Sequence, residues 1–141
     1  MWSKTFDHRL KEWYTLRQDV LDSDVETTLT TINSWWHRTP WTPYYLHWDE
    51  VEKWPDPWQL LDDNVFCTIS RGYGSLCTIA LLNRWEIYRA DLIQTTDGNN
   101  LVVINDGDYI LNWDKDSVLN TNISLNVERC LTQEQIKQKY L

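Results

Sequence analysis

The sequence predicts an α+β fold, in which an N-terminal helical hairpin and a central buried helix pack on an antiparallel β-meander. Apolar residues recur at three- and four-residue steps in residues 4–37 and again in residues 65–83, a spacing typical of helices with a buried face. Further on, Asp97-Gly98 and Asp106-Gly107 separate short apolar segments, and Asp-Gly supplies the positive φ angles of a tight hairpin turn. Helices followed by paired strands indicate an α+β domain.

The length of 141 residues fits one domain, 1–141, with a single core. We predict five regions in it. They are a helical hairpin over residues 1–37, a connection rich in Trp and Pro over 38–56, a central helical region over 57–83, an antiparallel sheet over 84–130 and a C-terminal helix over 132–141.

Capping patterns mark where the helices begin. The first helix is expected from about residue 4 to 21, and the second begins at Ser23-Asp24-Val25-Glu26, which has the form of a capping box. Asp56-Pro57-Trp58-Gln59 predicts a third start, because Asp caps well and Pro suits the first helical position. The central helix is expected over residues 65–83. Gly72 and Gly74 cost it about 1 kcal/mol each relative to Ala, which predicts close approach by a neighbouring element.

The strands are predicted from short apolar segments between turn residues. We expect strands over residues 85–93, 101–105 and 109–113, and a fourth over 123–128, where apolar and polar residues alternate. After them, Thr132-Gln133-Glu134-Gln135 has a pattern that caps a short terminal helix.

Charge and hydropathy narrow the classes of partner. Thirteen basic and 21 acidic side chains give a net charge of −8, which opposes binding to a phosphate backbone, so we expect no nucleic-acid partner. No segment reaches the ~18 apolar residues of a membrane helix, and the first residues lack the apolar core of a signal peptide. We therefore expect a soluble, cytosolic protein without a membrane partner.

Cys67 is the candidate nucleophile if the protein is an enzyme. It lies near the amino end of the predicted central helix, where the helix dipole lowers a thiol pKa. The three histidines all precede it in the chain, and His47 is the candidate base. Because free cysteines are among the most buried residues of proteins, we interpret Cys67 as a core residue and predict no catalytic residue.

No metal or cofactor site is predicted. His37 and His47 lack ligand spacing, the three cysteines form no paired motif, and no acidic loop resembles a calcium site. Gly72-x-Gly74 lacks the rest of a dinucleotide-binding motif.

Tryptophan is the main anomaly of the composition. The chain has ten, where average usage of roughly 1–2% predicts about two. Aromatic residues concentrate between positions 35 and 58, and they are our predicted interface residues: Trp35, Trp36, Trp41, Tyr44, Tyr45, Trp48, Trp54 and Trp58. Interfaces favour Trp and Tyr, although the same rings can also seal a core or bind a sugar or peptide. We expect Trp41 and Trp48 to be the exposed anchors, because they lie in the proline-interrupted connection.

Several short motifs resemble a family of small uncharacterised proteins of large tailed bacteriophages, over roughly residues 48–120. The motifs are Trp54-Pro55-Asp56-Pro57-Trp58-Gln59-Leu60-Leu61, Phe66-Cys67, Gly72-Tyr73-Gly74, Asn100-Leu101-Val102-Val103, Tyr109-Ile110-Leu111-Asn112 and Ser117-Val118-Leu119-Asn120. The resemblance implies a virion or assembly protein, or a host-takeover factor, found in the host cytoplasm during infection or in the virion.

The order of a Cys-bearing helix before an antiparallel sheet is also similar to the transglutaminase and papain-like core. Those enzymes supply their catalytic His after the Cys, and no His follows Cys67. Their activity is therefore not carried over to this chain.

We predict a non-enzymatic phage protein that acts through contacts with other phage or host proteins, as a structural or assembly component of the virion. The sequence does not decide whether the protein forms an oligomer. Two alternatives remain. One is a cysteine-dependent hydrolase or acyl transferase that uses Cys67. The other is a module that binds carbohydrate or peptide on an aromatic platform.

Overall fold

The computed structural model describes residues 2–114, 118 and 124–140. It confirms the α+β class, with helices packed on a four-stranded antiparallel sheet. The described helices are α1 (Phe6–Asp19), α2 (Val25–His37), α3 (Pro57–Asp63), α4 (Thr68–Leu82) and α5 (Gln133–Tyr140), with a 3-10 helix at Trp48–Lys53 and a 3-10 turn at Asn105–Gly107. The strands are β1 (Ala90–Thr95), β2 (Asn100–Ile104), β3 (Tyr109–Leu111) and β4 (Val127–Thr132).

The first two helices form the expected hairpin, but the cap of α2 differs from the predicted one. The carboxylate of Asp24 accepts a hydrogen bond from the Thr27 main-chain N–H at 2.7 Å, so Asp24 rather than Ser23 caps the helix. The helix therefore begins at Val25. Asp satisfies the free N–H groups of a first turn as well as Ser does, and its negative charge also interacts favourably with the helix dipole.

Helix α3 begins where the sequence predicted and is held against α1. Asp56 accepts a hydrogen bond from Gln59 N at 2.7 Å, and Asn64 ends the helix in the left-handed conformation. The buried Arg9 of α1 donates from Nε to the Leu61 carbonyl at 2.8 Å. This bond satisfies a carbonyl at the carboxyl end of α3 and joins the two helices.

Helix α4 is the central buried helix, but it is shorter than predicted and begins at Thr68. The residues before it are extended, because the main chain of Phe66 pairs with the connection. Phe66 N donates to the Pro40 carbonyl at 3.1 Å, and Thr42 N donates to the Phe66 carbonyl at 2.7 Å. These long-range bonds replace the helical ones that the pattern over residues 65–67 predicted.

The glycines of α4 lie where neighbouring elements approach the helix closely, as predicted. A Cβ on Gly74 would lie 2.5 Å from ring atoms of Trp36 in α2. A Cβ on Gly72 would lie 2.7 Å from Leu92 Cδ1 of β1. The lack of side chains at these positions therefore lets α2 and the sheet pack on opposite sides of one helix.

The sheet has the strand order β3-β2-β1-β4, and every pairing is antiparallel. Strands β1 to β3 form the predicted meander. The first strand begins at Ala90 instead of residue 85, because the chain before it turns, with Ile87 N donating to the Arg84 carbonyl at 3.1 Å. The inner face of the sheet carries Leu92, Val102, Ile104 and Leu111 into the main core.

The fourth strand lies later in the chain than predicted. Strand β4 covers Val127–Thr132 and pairs with β1, whereas residues 124–126 of the predicted strand are irregular and residue 123 lies outside the described residues. Thr132 ends the strand and caps α5. Its N–H donates to Gln135 Oε1 at 2.8 Å, and Gln135 N donates to Thr132 Oγ1 at 3.1 Å, which confirms the predicted capping pattern.

A buried hydroxyl joins three helices at the centre of the core. Thr78 Oγ1 accepts hydrogen bonds from Trp13 Nε1 and Trp36 Nε1, both at 3.0 Å, and donates to the Gly74 carbonyl at 2.7 Å. All three side chains are fully buried. The indole N–H groups of α1 and α2 thus find their partner on α4, so the rings can be buried without losing a hydrogen bond.

Candidate functional site

The aromatic segment divides into a large buried part and a small exposed part. Trp35, Trp36, Trp48 and Trp54 are buried in the core, and Tyr45 and Trp58 are half-buried against it. Trp41 is 57% exposed and Tyr44 is 81% exposed. Of the eight predicted interface residues, these two therefore present their rings to solvent.

Trp48 is not an exposed anchor, and that prediction is wrong. The side chain is only 7% exposed, because its Nε1 donates to Asn100 Oδ1 at 2.9 Å and its ring lies 5.1 Å from that of Trp54. Trp54 Nε1 in turn donates to the His47 carbonyl at 2.9 Å. Both indoles are buried with their polar atoms bonded, so this part of the connection seals the core.

Trp41 and Tyr44, which we call the docking pair, are exposed although their segment is ordered. The main-chain bonds of Pro40 and Thr42 to Phe66 hold the backbone on both sides of Trp41. The Tyr44 ring stacks on the His47 ring, with centroids 6.4 Å apart and planes inclined by 13°. A held backbone lowers the conformational entropy that the rings would lose on contact with a partner.

Cys67 is the N-cap residue of α4, and its sulfur is surrounded by hydrogen-bond donors. Sγ lies 3.4 Å from Leu46 N and 3.3 Å from the Ser70 hydroxyl. Burial is the largest influence on the pKa of the Cys67 thiol and raises it. The hydrogen bonds from the Ser70 hydroxyl and from the N–H groups of Leu46, Ser70 and Ile69 outweigh burial, so the pKa lies below its ordinary value.

Cys67 and His47 line the same cavity of about 350 Å³, but they do not form a nucleophile and base pair. Among the described residues, no His ring is hydrogen-bonded to Sγ. The ring of His47 stacks on Tyr44 instead. At the same cavity, Arg129 Nη2 and Asp49 Oδ1 form an ion pair at 2.7 Å. The sulfur has partners that stabilise a thiolate, and no described His is hydrogen-bonded to it to accept its proton.

The lowered pKa of Cys67 makes stability depend on pH in a defined direction. An acid whose pKa is lower in the folded state contributes stability above its unfolded-state pKa and loses it as pH falls through the folded-state pKa. We expect the difference in unfolding free energy between the wild type and Cys67→Ser to widen as pH rises towards the ordinary thiol pKa of about 8.5 and to level off above it. Urea unfolding at several pH values measures it. A constant difference would show that Cys67 stays a thiol throughout.

A second, larger cavity of about 750 Å³ adjoins the first and was not predicted. Thr68 and Asn100 line both cavities. The larger cavity is lined by Thr68, Thr95, Thr96, Asp97, Gly98, Asn99, Asn100, Leu101, Asn112, Trp113, Ser124, Leu125 and Asn126. We interpreted residues 96–100 only as a hairpin turn. The available signal was the three lining asparagines and Trp113 in the predicted meander, together with Asn126 in the predicted fourth strand.

No family model, curated protein or solved structure matches this chain. In the described part of the chain, no helix is long and apolar enough to cross a bilayer. Over the same residues, no group of three or more His, Cys, Asp or Glu side chains is placed to hold a metal ion. Of the motifs that resemble phage proteins, Ser117, Leu119 and Asn120 lie outside the described residues.

Proposed function

We propose that the protein acts by docking on another protein chain through Trp41 and Tyr44. The observation that carries the proposal is the contrast within the aromatic segment. Four of its eight rings are buried and two are half-buried, and the indole N–H groups of Trp36, Trp48 and Trp54 are hydrogen-bonded. Trp41 and Tyr44 are instead exposed on an ordered backbone. Tyr and Trp are among the residues most enriched at binding hot spots, and each combines a large apolar face with a polar group.

The net charge supports selective contact by this surface. A charge of −8 keeps copies of the protein apart and favours a partner whose docking surface is basic. The exposed rings supply apolar contact, while the charge limits association with unmatched surfaces. We therefore propose a partner that offers an apolar pocket with Lys or Arg residues at its rim.

The resemblance of several motifs to small proteins of tailed bacteriophages supports a phage setting for this partner. In that setting the protein is a structural or assembly component of the virion, and the partner is a second phage protein. Mass spectrometry of purified virions tests this part separately. Detection of the protein in stoichiometric amount supports a role in the virion. Its absence from the particles would contradict that role and would indicate a partner in the infected cell.

Trp41→Ala and Tyr44→Ala should each weaken binding to the partner while leaving the fold nearly as stable, because both side chains are largely exposed. Truncation of a hot-spot residue costs about 2 kcal/mol or more, which is roughly a 30-fold increase in the dissociation constant. Isothermal titration with the purified partner measures the binding, and thermal melting checks the fold.

Trp85→Ala is the matched control, since Trp85 is 86% exposed but lies in the turn before β1. We expect its binding constant to equal that of the wild type. Unchanged binding by both docking-pair variants, or a loss confined to Trp85→Ala, would place the contact elsewhere on the molecule.

A cysteine-dependent hydrolase or acyl transferase is the second candidate function, and the lowered pKa of Cys67 favours it. The side chain is only 3% exposed, and no described base is hydrogen-bonded to its sulfur. Rapid, stoichiometric alkylation of native Cys67 by iodoacetamide would support this second function. We expect Cys130, which is exposed, to react first.

A further inference from the structure

We propose that the larger cavity, with Trp113 at its rim, binds a neutral oligosaccharide. Its volume of about 750 Å³ lies within the usual range for sites that bind small organic ligands. None of its lining residues belongs to the docking pair. The two proposals can therefore fail independently.

The wall of the cavity is held in place by the side chain of Asn112. Its Nδ2 donates to the Thr68 carbonyl at 2.9 Å and to the Asn100 carbonyl at 2.8 Å. Its main-chain N–H donates to Asn33 Oδ1 at 2.9 Å. These bonds join the end of β3 to α4, β2 and α2, so the site is largely formed before a ligand arrives.

Asn100 presents its side-chain amide at the place where the two cavities meet. The residue is 9% exposed, and its Oδ1 accepts the hydrogen bond from Trp48 Nε1 at 2.9 Å, which fixes the orientation of the amide. Among the described residues, its Nδ2 has no acceptor. A ligand hydroxyl at this point could accept a hydrogen bond from Nδ2.

The other polar groups of the cavity suit hydroxyl groups. Carboxamides both donate and accept, as do the hydroxyls of Thr and Ser, and a sugar hydroxyl needs the same pair of functions. Asn99 and Asn126 supply two further carboxamides, and Thr68 and Thr96 supply hydroxyls. Trp113, which is 55% exposed, offers a flat apolar ring on which the C–H face of a sugar can stack.

The charges of the site favour a neutral ligand. Among the described residues that line the larger cavity, none is Lys or Arg and Asp97 is the one acidic side chain. Phosphate and carboxylate ligands depend on cationic partners, so nucleotides and acidic sugars are disfavoured. Apolar peptide side chains would need apolar pockets, whereas the large apolar residues among the described lining are Leu101, Trp113 and Leu125. An oligosaccharide therefore fits better than a peptide.

The test is an array of neutral and acidic oligosaccharides probed with the full chain, followed by NMR titration of the best neutral trisaccharide. We expect saturable binding, with shifts of the Asn100 side-chain amide and the Trp113 indole resonances. Trp113→Ala should weaken binding at least tenfold, whereas Trp85→Ala should leave it unchanged. Both variants replace exposed rings, and their melting temperatures establish that they fold.

Three results would overturn the proposal. One is an array and titration with no saturable binding by any neutral oligosaccharide. Another is binding that Trp113→Ala leaves unchanged. The third is a preference for an acidic sugar, oligothymidylate or an uncharged hexapeptide, each of which is titrated beside the neutral trisaccharide.

Discussion

Gly74→Leu should destabilise the protein by about 3 kcal/mol or more, because the position has no room for a side chain. The first added carbon would lie 2.5 Å from ring atoms of Trp36, which is fully buried and hydrogen-bonded to Thr78. Overpacking of this kind costs about 1–3 kcal/mol and occasionally more, and Leu adds three further carbons to the clash. Urea unfolding monitored by circular dichroism measures the loss.

Alanine variants of the two α4 glycines provide the matched comparison if the Leu variant does not fold. Both gain about 1 kcal/mol of helix propensity. At Gly72 the nearest atom is the end of the flexible Leu92 side chain, whereas at Gly74 it is a rigid buried ring. We expect Gly72→Ala to be near neutral and Gly74→Ala to be destabilising. Equal stability of the two would contradict the packing of α2 on α4.

Thr78→Val should cost roughly 2 to 6 kcal/mol, although it preserves the size and shape of the side chain. The change removes the acceptor of two buried indole N–H groups, those of Trp13 and Trp36. Each buried donor left unpaired costs about 1–3 kcal/mol. Chemical unfolding measures the loss, and near-ultraviolet circular dichroism reports the environment of the two rings.

Thr31→Val is the control for that prediction. Thr31 Oγ1 donates to the Thr27 carbonyl at 2.7 Å on the exposed side of α2, and no described donor depends on it. We expect a change within about 0.5 kcal/mol, as is usual at the surface. If both Thr variants lose the same free energy of unfolding, the loss comes from replacing Thr in a helix. The hydrogen bonds of Thr78 would then contribute no stability of their own.

Local patterns predicted the parts of the fold that depend on local chemistry. Asp56 caps α3, Thr132 and Gln135 cap α5, and the Asp-Gly turns join the strands of the meander. Each of these needs only residues within a few positions of one another. The two α4 glycines were also informative, because their cost in a helix requires a compensating contact.

Features that depend on distant partners could not be predicted. Residues 65–67 continue an apolar helical pattern, but bonds to Pro40 and Thr42 hold them extended. Trp48 is buried because Asn100 lies opposite it, 52 positions away. The sulfur of Cys67 meets Leu46 N only in the folded chain. In each case the deciding partner lies on another element, which a periodicity cannot show.

Site-specific photo-crosslinking tests the docking proposal most directly. Benzoylphenylalanine is introduced at position 41, at position 44 or at the control position 85, and the protein is irradiated in the cells that express it. The account predicts one discrete crosslinked protein from positions 41 and 44 and none from position 85. A crosslink only from position 85, or none from positions 41 and 44, would contradict it.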